Sequence, residues 1–245
     1  MIDQYRSMRR DRQRLPGICR SLWAPLLAGV LLVVATVPGR ADMVLSDVIV
    51  AFAPGEVRKE IVVTNTGEET LFVSADLAEI INAGSANEER VVNPDPELAG
   101  MIVSPTRIVV QPGQRKTLRI AYIGDTPASD RVYRLLVKPA VGDIDAQETM
   151  LRVLIGYDVL VVVQPEEPAY NLDWSREGTV FTVTNTGNTN ALMYEGLLCP
   201  ASGDCVDVQG RRIYPGLTVT IDLPAEDGTL TYMVQGAGQI GQATF

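Results

Sequence analysis

The chain has 245 residues, with 30 acidic against 21 basic side chains, no histidine and a formal net charge of −9 at pH 7. Without histidine there is no Ser–His or Cys–His nucleophile pair and no histidine-based metal site. The acidic balance argues against nucleic acid or an anionic membrane surface as a partner.

Residues 1–41 read as a secretory signal peptide. A segment rich in arginine (Arg6, Arg9, Arg10, Arg12, Arg14, Arg20) precedes the apolar run "LWAPLLAGVLLVVATV", Leu22 to Val37. The small residues Gly39 and Ala41 then stand at −3 and −1 of a cut before Asp42. Basic segment, short apolar segment and small-residue cleavage site are the three parts of an export leader. The run is shorter than the roughly 20 residues of a spanning helix and contains Pro25 and Gly29, so no stable membrane insertion is expected after cleavage. The leader holds seven Arg and two Asp, a net of +5, so its removal takes −9 to −14.

The remainder reads strand after strand. "VLSDVIVAFAPGE" stops at a Pro-Gly turn, "RKEIVVTNTGEE" alternates and stops at Asn-Thr-Gly, and "TLFVSADLAEI" follows. After a polar stretch come "MIVSPTRIVVQPGQRKTLRI", "DRVYRLLVKPAV", the acidic loop "GDIDAQE" and the run "TMLRVLIGYDVLVVV". No segment has a helical period, and short alternating runs punctuated by turns predict an all-β sandwich over residues 42–163. "QPEEPAYNL" reads as a linker, and the pattern restarts to give a second, smaller sandwich, residues 164–245.

Thr64-Asn65-Thr66-Gly67 returns as Thr184-Asn185-Thr186-Gly187. Each copy closes a β-branched run, which predicts the same strand-then-turn unit in two sandwiches. Asn and Gly are expected there to supply positive φ and side-chain-to-backbone hydrogen bonds.

Cys199 and Cys205, in "LLCPASGDCVDV", suit a disulfide closing a hairpin tip in an exported chain. With Cys19 in the leader and no histidine, they lack the partners of a zinc site. No nucleophile elbow, phosphate loop or cofactor motif is present. Clustered carboxylates such as Glu88-Glu89 and Asp143 with Asp145 read as solvated turns, although "GDIDAQE" resembles half a calcium loop.

The run 149–163 is the informative stretch. Its odd positions, Leu151, Val153, Ile155, Tyr157, Val159, Val161 and Val163, are all apolar or aromatic, and its even positions are mixed. A strand of that length outruns the usual 5–6 residues. An overhanging apolar edge is an aggregation hazard unless something pairs with it.

Together these features resemble the PapD-like periplasmic pilus chaperones, boomerang-shaped proteins of two immunoglobulin-like β-sandwich domains. The resemblance covers residues 42–245. It is carried by Ile108 to Ile120 with its Pro-Gly turn, by "SDRVYRLLVKPAV", and by "VLVVVQP" leading into the hinge proline, Pro165. It implies a periplasmic chaperone that holds pilus or fimbrial subunits by lending them a β-strand, and hands them to an outer-membrane usher. The residues donated would be Leu151, Val153 and Ile155. The family grips the subunit's C-terminal carboxylate with an Arg and a Lys, at positions that here fall on Ile49 or Val50 and on Leu160. Arg152, Lys138 and Arg134 are the candidates to replace that anchor. Arg119 matches a family arginine near the domain junction, but Val132 and Tyr133 stand where its acidic partner is expected.

The rival reading is an exported structural or adhesive protein of two immunoglobulin-like domains, with the long strand buried in its own core. An exported enzyme on a sandwich scaffold is a third.

Overall fold

The computed structural model describes residues 43–140 and 155–245. The leader and the loop "GDIDAQE" lie outside those residues.

The first half runs β1 (Met43–Leu45), β2 (Ile49–Phe52), β3 (Arg58–Asn65), β4 (Leu71–Ile81), β5 (Glu89–Val92), a one-turn helix α1 (Pro96–Ala99), β6 (Met101–Ser104), β7 (Arg107–Val110), β8 (Arg115–Tyr122), β9 (Arg131–Pro139) and β10 (Tyr157–Val163). One sheet has the order β1-β3-β8-β6. The facing sheet has the order β2-β10-β9-β4-β5, with β7 also on β4. Alternation drives the packing: in β4 and β8 every second residue is buried and its neighbours face outward. The inward set includes Phe52, Ile61, Leu118, Ile120, Tyr133 and Leu135, all fully buried. Each such side chain contributes roughly 1.5–3 kcal/mol.

The second half runs β11 (Leu172–Glu177), β12 (Val180–Asn185), β13 (Ala191–Cys199), β14 (Val206–Val208), β15 (Arg211–Ile213), β16 (Thr218–Asp222), β17 (Thr229–Gly236) and β18 (Gln239–Thr244). Its sheets are β11-β12-β16 and β14-β13-β17-β18, with β15 also on β13. A separate core gathers Phe181, Val183, Met193, Leu198, Ile213, Leu230 and Tyr232. The chain is thus an all-β pair of sandwiches. The Cys199–Cys205 disulfide expected from the sequence is present, with the sulfurs 2.05 Å apart, and it closes the β13–β14 hairpin.

The repeated Thr-Asn-Thr-Gly phrase builds the same device twice. Asn65 donates from Nδ2 to the carbonyls of Glu69 (2.7 Å) and Val110 (2.9 Å), and its Oδ1 accepts from the Gly67 N–H (2.9 Å). Asn185 donates to Thr189 (2.8 Å) and Ile213 (3.0 Å) and accepts from Gly187 (3.0 Å). Both carboxamides are buried. Each clamps its strand end to the segment entering a Pro-Gly turn, where Gly113 and Gly216 carry the positive φ (72° and 75°). The expected positive φ is therefore in the partner turns; neither Asn nor the glycine of the phrase adopts it. Gly187 is small for another reason: a Cβ there would lie 2.3 Å from the Ala169 carbonyl oxygen.

Candidate functional site

The last strand of the first sandwich, β10, is covered unevenly. Antiparallel β9 pairs with it from Tyr157 to Val163. On its other edge, parallel β2 pairs only from Leu160↔Ile49 to Val163↔Phe52. Before Leu160, no strand among the described residues pairs with that edge. Val159, Val161 and Val163 point into the sandwich's own core. Ile155 has the same parity but lies beyond the end of that core and is 50% exposed. Of the expected donor residues, Ile155 is placed on this open stretch; Leu151 and Val153 lie outside the described residues, as does Arg152. The single strand expected over 149–163 is assigned from Tyr157 onward.

The even positions of β10 are more buried than their mixed sequence suggested. Leu160 and Val162 form a small apolar cluster with Ile80 and Val132 of the first sandwich and Tyr214 of the second. Leu217 of the second sandwich packs on the same cluster. This face of the sheet carries a row formed by Ile49, Leu160, Arg134, Ala78 and Val92 as register partners on neighbouring strands. The two positions at which the family keeps its cations are thus side by side, on β2 and β10, and Arg134 is the next residue in the same row.

Arg134 donates to the Asp158 carbonyl (3.3 Å) and, among the described residues, makes no ion pair. Asp158 spends its own carboxylate on Arg90, with bonds of 2.7 and 3.1 Å. The same hydrogen bonds hold the Arg90 guanidinium above its ordinary pKa. Lys138 lies further along the face, paired with Asp76 at 3.0 Å. Among the placed anchor candidates, Arg134 alone keeps its charge uncommitted beside the open edge.

The junction is held by a polar knot that sequence reading missed. Asp130 accepts from the Asn190 N–H (2.7 Å), the Asn190 side chain (2.5 Å) and the Thr189 hydroxyl (2.8 Å). Arg212 donates to the other end of the Asn190 carboxamide. Burial pushes the Asp130 carboxyl up and the Arg212 guanidinium down from their ordinary values. A signal existed: Asn188-Thr189-Asn190 directly follows the second Thr-Asn-Thr-Gly, a density of turn-type side chains beyond what one turn uses. Arg119 is elsewhere, paired with Glu60 at 3.2 Å on an exposed face. No group of three or more acidic or Cys side chains among the described residues is arranged to hold a metal.

No family model matches the chain. A CS1 fimbrial subunit of Escherichia coli is 25% identical over 161 residues, 61% of this chain and 67% of that protein. Among solved structures, the class 5 fimbriae chaperone CfaA superposes with a TM-score of 0.63 at 21% identity, covering 83% of this chain and 97% of that one. The Escherichia coli chaperone DraB gives 0.59 at 17%, with 83% and 96% covered. The SafB chaperone, solved with the SafA pilin of Salmonella enterica, gives 0.60 at 17%, with 83% and 94% covered. The chain has the two-domain all-β fold of the fimbrial chaperones, the fold that the sequence resemblance implied.

Proposed function

We propose that this chain is a periplasmic chaperone for fimbrial subunits, working by strand donation and passing its client to an outer-membrane usher. Residues 1–41 act as the export leader, 42–163 as the client-binding sandwich and 164–245 as the second sandwich. No catalytic role is assigned.

The observation that carries the reading is the half-covered strand β10. Its downstream half is locked between β2 and β9, while its upstream edge is open and presents Ile155 to solvent. A client strand added there satisfies the free backbone groups. Apolar side chains at 151, 153 and 155 then enter the client's core instead of the chaperone's own. Arg134, in the row of Leu160 and Ile49, is the cation we assign to the client's C-terminal carboxylate. The pilin and tip-adhesin complexes solved with proteins of this fold agree with such a client.

A second reading, a fimbrial structural subunit, takes support from the Escherichia coli relative, itself a fimbrial subunit by name. A subunit that lacks a strand has an open core, whereas here both cores contain fully buried side chains. The two readings separate in one experiment: the tagged protein is recovered from the periplasm of its native host and the complex weighed intact. A 1:1 complex with a smaller, incomplete β protein supports the chaperone. A lone monomer, or a ladder of identical copies, with subunits expressed in the same sample, contradicts it.

A further inference from the structure

Strand edges in native proteins are protected by being short, charged or covered. Most free edges here obey this rule. β1, β2 and β6 have only three or four residues, β5 carries Glu89 and Arg90, β11 carries Asp173, Arg176 and Glu177, and β16 carries Asp222. β18 is the exception. Its six residues, Gln-Ile-Gly-Gln-Ala-Thr, have no charge and no proline, and Ile240 is 62% exposed.

The register fixes what this edge offers. Phe245 and Leu230 exchange backbone hydrogen bonds, so Ala243, Gly241 and Gln239 also turn their polar groups toward β17. Thr244, Gln242 and Ile240 therefore turn N–H and C=O outward. Their side chains share the outer sheet face with Thr231, Met233 and Gln235, their register partners, while Ala243 and Phe245 pack on the core. Next along that face stand Leu192 and Tyr194 of β13. The face is uncharged across three strands, on a chain of net charge −9.

We infer that β18 is a homodimerisation edge, its occupant β18 of a second copy running antiparallel about a two-fold axis at Gln242. Centring there sets Ile240 against the partner's Thr244 and Gln242 against the partner's Gln242, so every outward group on one strand meets an outward group on the other. An isologous contact needs this self-complementarity. Two bodies of equal negative charge repel elsewhere on their surfaces, and this uncharged face is where they approach without that cost. The inference is independent of strand donation, which uses the opposite end of the chain.

The test is sedimentation equilibrium of the purified, processed protein across the micromolar range. The parent is expected to dimerise. Gln242→Lys, which sets two like charges directly opposite, and Ile240→Lys should each weaken the dimer at least about tenfold. Ser175→Lys on the β11 edge should leave it unchanged. Gln242→Cys should form an intermolecular disulfide on mild oxidation while Gln239→Cys does not, a readout that survives if a lysine variant folds poorly. A monomeric parent, a dimer indifferent to both lysines, or a dimer dissolved by Ile155→Asp instead overturns the inference.

Discussion

Asn190 delivers both its backbone N–H and its side-chain amide to one oxygen of Asp130, at 2.7 and 2.5 Å, and so ties the start of β9 to the start of β13. Burial is the largest influence on this carboxyl and raises it above its ordinary 3.8, while Asn190, Thr189 and Arg212 pull it down. A carboxyl raised in the folded state binds more protons folded than unfolded. Its contribution to stability is therefore present below the unfolded value and is lost as pH rises through the window between the two. Asp130→Asn replaces an acceptor by a group that must turn a donor toward donors. It should cost about 1–3 kcal/mol at neutral pH. The gap to the parent should widen as pH falls through the raised value toward 3.8. Urea titrations at stepped pH check both parts.

The twin carboxamides give a second prediction. Asn65→Ala and Asn185→Ala each strand two buried carbonyls and one N–H in its own sandwich. Each should cost about 2–4 kcal/mol. The losses should add in the double variant, because the two sites share no partner. Denaturant melts of the single and double variants measure this.

The hairpin disulfide spans a sequence separation of 6. Cys199→Ser with Cys205→Ser should destabilise the second sandwich by about 2 kcal/mol. The parent, denatured without reductant and treated with an alkylating agent, should keep its mass; two added groups would refute the bond.

Much of this was legible in the sequence, and the misses have physical reasons. Period-2 alternation and Pro-Gly turns located the strands, because those patterns are what a half-buried sheet imposes. The repeated phrase announced a repeated clamp. Its mechanism was half right, because a buried Asn can bond across to another turn without leaving the extended conformation. The two-sided burial of Leu160 and Val162 was not visible, because their cover, Tyr214 and Leu217, is distant in sequence and belongs to the other sandwich. The Asp130–Asn190–Arg212 knot was hidden for the same reason. Arg134 could be named but not ranked, since only the register shows it beside Leu160 while Lys138 is occupied by Asp76.

That ranking is testable. Arg134→Ala should weaken client binding by about 10- to 100-fold through loss of a charge-assisted contact. Lys138→Ala should change it little. Titrating purified client against both variants, with thermal melts confirming the fold, decides between them.

The central claim is that the upstream half of the β10 strand belongs to a client rather than to this protein's own core. The most direct measurement is on Ile155→Asp: thermal stability of the isolated protein and recovery of its client from the periplasm, side by side with the parent. Ile155 is half-exposed at the end of the core. The account predicts an unchanged melt and no captured client. An unfolded variant, or a folded one that still brings down its client, would contradict it.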